Sequence, residues 1–244
     1  MEIAVHREYR WNRRNVPGMV LLIFAALAAA PALAQTERQA GIVRDPAFRM
    51  AKPVMSWKQM KNRHVVMQQR DYSCGAAALA TLMRYYWGHD VSEADVLVVV
   101  ERMLDAEQLR DRVENGLTMA DLEEAARRMG YQSVVGQVTF EELKGSKVPV
   151  IVVVNLGGLN HFVVYRDDAC GSVFLADPLR GNTRLSAEGF QQVWQRNAIL
   201  VVAPPGQTSS ERSQLGLTSA DLHTGYLNKQ VILRAATNGM SFLK

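Results

Sequence analysis

Apolar residues recur at i, i+3, i+4 and i+7 (Leu79, Leu82, Met83, Tyr86) between Cys74 and Trp87, and Gly88 follows. That spacing predicts a helix with a glycine stop. Ser92 caps a second predicted helix that runs to Leu104, and Thr118 caps a third over 119–129, closed by Gly130. Asp121, Glu123 and Glu124 near the start of the third, and Arg127 and Arg128 near its end, suit the helix dipole. The pattern then changes. Segments 131–138, 148–154, 160–166, 172–176 and 198–202 are rich in Val and Ile and predict strands. Short helices are expected over 139–144 and 186–195. Helices followed by mostly antiparallel strands make an α+β order, not the alternation of a doubly wound fold.

The two ends of the chain differ from this middle. Residues 1–34 hold Arg7, Arg10, Arg13 and Arg14, an apolar run from Met19 to Ala30, and then Ala32-Leu33-Ala34. A basic start, a run of this length and a small-x-small site predict a secretory signal peptide, and with it export to the periplasm. The alternative is a membrane anchor, for which the run is short and rich in alanine. Residues 35–62 are polar, with Pro46 and Pro53, and predict a linker or an arm packed on the domain. Pro204-Pro205-Gly206 and the polar residues after it end the predicted domain, 63–203, and leave 204–244 as a polar tail.

Composition narrows the classes. Of 244 residues, 48% are hydrophobic and 21% charged, which suits a globular chain and excludes a disordered or collagen-like one. The net charge of +4 comes from 28 Lys+Arg against 24 Asp+Glu, and setting the leader aside leaves 24 against 22. No cluster of basic and aromatic residues remains, so no nucleic-acid partner is expected. Two cysteines cannot form a zinc ribbon or a disulfide scaffold. The spacing of His64, Cys74 and His89 matches no metal site, and neither metal nor cofactor is expected.

The candidate chemistry begins at Cys74, in Tyr72-Ser73-Cys74-Gly75-Ala76. Free amide groups and the positive end of the dipole favour a thiolate at a helix start. Gly75 and the alanines leave room for another group to approach the sulfur. A small buried hydrophobe would occupy the same position. His161 and Asp177 each lie on an apolar strand, and Asp167 to Gly171 between them has turn composition. A turn centred on Ala169 makes His161 and Asp177 direct cross-strand neighbours, so that the carboxylate orients the imidazole. A core histidine and a strand-ending aspartate are the plainer readings of each alone. Gln68, six residues before Cys74, offers an amide to an oxyanion. It is equally a polar loop residue beside Gln69.

A glutamine, five residues, Cys-Gly-x-Ala, a later histidine in an apolar strand and an Asp-Pro resemble the motif of the C39 peptidase family. Gln68, Cys74, His161 and Asp177 fall on those positions in order. The resemblance covers 63–203 and implies a papain-like fold, with helices packed on a mostly antiparallel sheet. It also implies a thiol peptidase: Cys74 attacks, His161 moves the proton, Asp177 orients His161 and Gln68 stabilises the oxyanion. Ser73 stands where the family's transporters usually have aspartate. No phosphate-binding loop is present, so ATP-driven export is not expected. The chain is more similar to stand-alone exported members, one kind of which is encoded with functional-amyloid secretion systems. The implied substrate is then a secreted protein or leader, of amyloid type or carrying a leader, and the implied partner an outer-membrane secretion component. A peptide-binding module without turnover and an acyl or amide transferase are the competing classes.

Overall fold

The computed structural model describes residues 41–45, 50–54 and 56–222. The predicted signal peptide and residues 223–244 lie outside these. The helices start where short polar side chains supply caps. The side chains of Ser56, Ser92, Asp105, Thr118 and Thr139 each accept from the backbone N three residues on, and their own backbone N donates in return to the side chain of Gln59, Asp95, Gln108, Asp121 or Glu142. They open α1 (Trp57–Lys61), α3 (Glu93–Met103), α4 (Ala106–Asn115), α5 (Met119–Arg128) and α6 (Phe140–Lys144). Ser186 caps α7 (Ala187–Val193) through Gly189 N. Helix α2 (Cys74–Thr81) is the exception among the described helices: Ser73 makes no side-chain cap bond to it. It runs on through a π-helical turn, Leu82–Tyr86, in which Trp87 N donates to Leu82 O at 3.2 Å.

Strands β1 (Gly41–Asp45) and β2 (Met50–Val54) form a hairpin within the segment expected to be a linker or arm. The remaining strands are β3 (Gln132–Gln137), β4 (Val150–Leu156), β5 (Leu159–Ala169), β6 (Ser172–Asp177), β7 (Gly181–Ser186) and β8 (Trp194–Ala203). They make one antiparallel sheet in the order β3-β8-β4-β5-β6-β7. The α+β architecture expected from the element order is therefore the one observed. Both faces of the sheet are covered. Phe162, Val164 and Ala176 pack with Leu79, Leu82 and Leu122 of the helical layer. Val163, Tyr165, Val173 and Leu175 pack with Leu143, Phe190 and Trp194 on the other side. Burial on both faces explains why β4–β6 read as apolar runs instead of alternating. Gly75 sits where α2 presses on this sheet: a Cβ there would meet Leu122 Cδ1 at 3.0 Å and Phe162 Cδ2 at 3.2 Å.

The free edge of β3 is partly screened. Val135 N donates to Glu123 Oε1 at 3.3 Å, and Arg127 Nη2 donates to Ser133 O at 3.4 Å. The two side chains are themselves paired at 2.6 Å along α5.

Three expectations are corrected. The β5–β6 turn centres on Cys170-Gly171, not on Ala169: both have positive φ, 50° and 71°, and Ala169 pairs with Ser172. Positive φ at both central residues marks the tight turn that matches strand twist. A bulge between Tyr165 and Asp167 then shifts the ladder, so that Val164 pairs with Ala176. Continued, that register sets His161 opposite Leu179, not Asp177. Second, α4 and β7 were not anticipated, because α4 buries no residue and β7 is mostly polar. Third, the polar segment after 203 packs on the domain. Leu215 is 1% exposed within the helix-side core, Gln214 N donates to Tyr85 O at 2.7 Å, and Arg166 donates to Leu215 O at 2.8 Å and to Gly216 O at 3.0 Å.

Candidate active site

Cys74 is the first residue of α2 and is 7% exposed. The loop that delivers it is tied on itself. Arg70 O accepts from Ser73 Oγ at 2.8 Å, Ser73 N at 3.3 Å and Gln68 Nε2 at 3.0 Å, while Arg70 N donates to Ser73 Oγ at 3.2 Å. Ser73 thus spends its hydroxyl on the loop before the helix and leaves the first-turn amides of α2 without a side-chain cap. Such amides and the dipole act on whatever occupies the helix start, which here is the thiol. The π-helical turn that ends this helix, like the tail, has no counterpart in the residue pattern.

His161 and Asp177 are 7% and 3% exposed, and His161 Nε2 donates to Asp177 Oδ1 at 2.7 Å. They meet as diagonal neighbours on one face of the strand pair, within reach of side chains of this size. Asp177 Oδ1 also accepts from Leu179 N at 2.8 Å and Arg180 N at 3.1 Å, so the turn after Asp-Pro fixes the carboxylate. Burial opposes its ionisation, but the His161 hydrogen bond and charge and these two amides outweigh burial and hold its pKa below the usual carboxylate value. Burial likewise opposes the imidazolium. Hydrogen bonds with Asp177 and Cys74, and the charges of both, outweigh it and push the His161 pKa up to about 9. With Nε2 committed to Asp177, Nδ1 is the nitrogen left to face the thiol. Cys74 and Asp177 thus both act on the His161 ring, Asp177 through the bond to Nε2.

Gln68 is held beside that line. Its backbone N donates to Pro178 O at 2.9 Å, which links the loop to the turn that grips Asp177. One amide hydrogen goes to Arg70 O, and the buried Oε1 has no hydrogen-bond partner. Sequence reasoning missed two supports of this loop. The buried carboxylate of Glu93 accepts from Gln69 N through both oxygens, at 3.0 and 3.1 Å. Thr81 Oγ1 accepts from Val66 N at 2.9 Å. The first-turn position of Glu93 in a predicted helix was a signal of dipole pairing, and it concealed this second task. Both cysteines are free, with Cys170 exposed in its turn. No group of three His, Cys, Asp or Glu side chains suited to a metal ion occurs among the described residues.

The model of the peptidase C39 family matches residues 62–206. The chain is 33% identical over 143 residues to a protein of Pseudomonas fluorescens named "Probable functional amyloid protease FapD", covering 59% of this chain and 62% of that one. A protein of the same name from Pseudomonas aeruginosa is 29% identical over 151 residues, covering 62% and 66%. The chain thus spans somewhat under two thirds of the length of these relatives. Among solved structures, the peptidase domain of Streptococcus ComA, a bi-functional ABC transporter, shares 25% identity. It aligns with a TM-score of 0.48 over 57% of this chain and 97% of that one. The family match runs across the helix that begins with Cys74 and the strands that carry His161 and Asp177, and the chain belongs to the peptidase C39 family.

Proposed function

We propose that this chain is an exported cysteine peptidase acting in the periplasm on a peptide bond of a secreted protein or its leader. The observation that carries this reading is a buried His161–Asp177 pair, bonded at 2.7 Å, that acts together with a thiol at a helix start. A pKa of about 9 keeps the imidazole charged at neutral pH, beside the Cys74 sulfur that is to attack. Cys74 adds to the scissile carbonyl carbon, and the C=O electron pair moves onto oxygen. The second amide hydrogen of Gln68 stabilises that oxyanion, an interaction of a kind worth about 3–4 kcal/mol. As the C–N bond breaks, His161 passes its proton to the leaving amine and a thioester remains on Cys74. Water, deprotonated by His161, then attacks the thioester and frees the acid. Asp177 holds the ring in place throughout and stabilises its charge.

The names of the two Pseudomonas relatives support an amyloid-type protein as substrate; a secretion component of the outer membrane is the partner that goes with export of such a substrate. Labelling by a peptide bearing a thiol-directed electrophile tests the nucleophile. With the exposed Cys170 replaced by serine in both chains, the expected result is one adduct at Cys74 and none in Cys74→Ala. Equal labelling of both chains removes the reading.

A further inference from the structure

A concavity of about 330 Å³ is lined by none of Cys74, His161, Asp177 or Gln68. Its size falls in the range of pockets that take a ligand or one or two side chains of a peptide. Trp57, Met60 and Phe174 form an apolar wall, and Trp57 and Met60 are exposed large hydrophobic residues. Lys61, Arg63 and Arg184 also line it. The Arg184 guanidinium carbon lies 5.9 Å from the centre of the Phe174 ring, so charge and apolar surface adjoin. Among the described residues, none of these three cations has a carboxylate within 4.0 Å. The acidic residue of the lining, Asp221, is taken up by Arg166 at 3.3 Å. The rim is therefore an uncompensated positive field around an apolar slot.

Half of the residues that line this cavity lie outside those that the family model matches. Trp57, Met60 and Lys61 precede residues 62–206, and Gln214 to Asp221 follow them. Two polar nodes stitch the flanks together across the sheet. Asn182 Nδ2 donates to Lys61 O at 3.1 Å and to Arg63 O at 2.8 Å, and Arg166 donates to Asn182 Oδ1 at 2.7 Å. Gly181 makes room for this: a Cβ there would overlap the Lys61 carbonyl. Arg166 follows His161 on β5, at a separation of about 15 Å along an extended strand. One extended peptide of some five residues bridges that gap.

We propose that this cavity is an exosite for an acidic segment of the protein substrate, with an apolar side chain between Trp57, Met60 and Phe174 and carboxylates against Lys61, Arg63 and Arg184. The identity of the occupant rests on the peptidase reading; the existence of the site does not. The chain's own residues 223–244 are the wrong occupant by charge, since they carry Lys229, Arg234 and Lys244 and no acidic residue.

Calorimetric titration of the full-length Cys74→Ala chain separates binding from turnover. The probe is a short synthetic peptide in which glutamates alternate with leucine and phenylalanine; the control replaces each glutamate by lysine. The acidic peptide is expected to bind at least about tenfold more tightly than the control, with affinity falling as salt rises. Adding Arg63→Glu and Arg184→Glu is expected to remove that preference while leaving the circular dichroism spectrum unchanged. Equal binding of the two peptides, or a preference that survives the charge reversal, overturns the site. So does binding of anionic lipid vesicles that displaces the peptide and matches it in affinity.

A second arm tests the occupant with any peptide that the wild-type chain cleaves. Appending the acidic stretch about five residues from the cleaved bond is expected to lower KM several-fold with kcat unchanged. An unchanged KM overturns the assignment to substrate. Absence of all cleavage defeats the peptidase reading and leaves the binding result standing.

Discussion

The nucleophile and its base reach the same point by different routes. Cys74 is delivered locally, by a loop whose bonds at Arg70 O and Ser73 Oγ span at most three residues and by the helix that follows. His161 and Asp177 are delivered by a ladder: a tight turn at Cys170-Gly171, a bulge after Tyr165 and the grip of the Leu179 and Arg180 amides. Local delivery leans less on distant register, since the bonds nearest Cys74 lie within the loop while Pro178, Glu93 and Thr81 hold its earlier residues. Ladder delivery depends on it, because a one-residue slip turns every side chain to the other face.

The difference can be broken most sharply at Asp177. Asp177→Asn keeps the shape and removes the charge that stabilises the imidazolium, and a fall of about 10²-fold in kcat/KM is expected. The sign of the pH effect follows from His161. Its charged form contributes to stability below its ordinary pKa of 6.5, and that contribution is lost as pH rises through about 9. In wild type the alkaline limb of activity should therefore fall near pH 9, and in Asp177→Asn it should move to lower pH. An unmoved limb would mean that Asp177 does not set the state of His161.

Ser73→Ala attacks the local route. It removes the hydroxyl that bonds Arg70 O and N in a fully buried position, at a cost of about 1–3 kcal/mol. Chemical denaturation measures this, and labelling of Cys74 should slow while the alkaline limb stays in place. The smallest effect is expected at the turn. Gly171→Ala places a Cβ on a residue with φ 71° and open space around it, for a loss of about 1 kcal/mol. A larger loss, with a shift in the alkaline limb, would show that the turn sets the register felt at His161.

The local route was also the legible one. A helix period with a glycine stop placed Cys74 at a helix start, and that start is where the structure has it. The strands were legible as apolar runs, but their register was not. Asp167 and Asp168 look like turn residues and pair within the ladder, whereas a cysteine at positive φ makes the turn. A bulge leaves no mark in composition. The contact of His161 with Asp177 was expected from the wrong pairing and arises from a diagonal one. Leu215 of the helix-side core lies in a mostly polar run with Leu217 beside it, and only its burial singles it out. Gln68 could be placed on its loop by spacing, but not its tie to Pro178, which is distant in sequence, as is Glu93, the partner of the neighbouring Gln69.

The screened edge of β3 has a consequence for any protein that handles extended chains. An open edge is a template on which a passing strand can dock, side chain by side chain, without regard to where the thiol lies. Here the Val135 amide and the Ser133 carbonyl are already occupied by Glu123 and Arg127. A chain that drifts against this side of the molecule finds its first rungs taken, and is left free to reach the cleft instead of adding itself to the sheet.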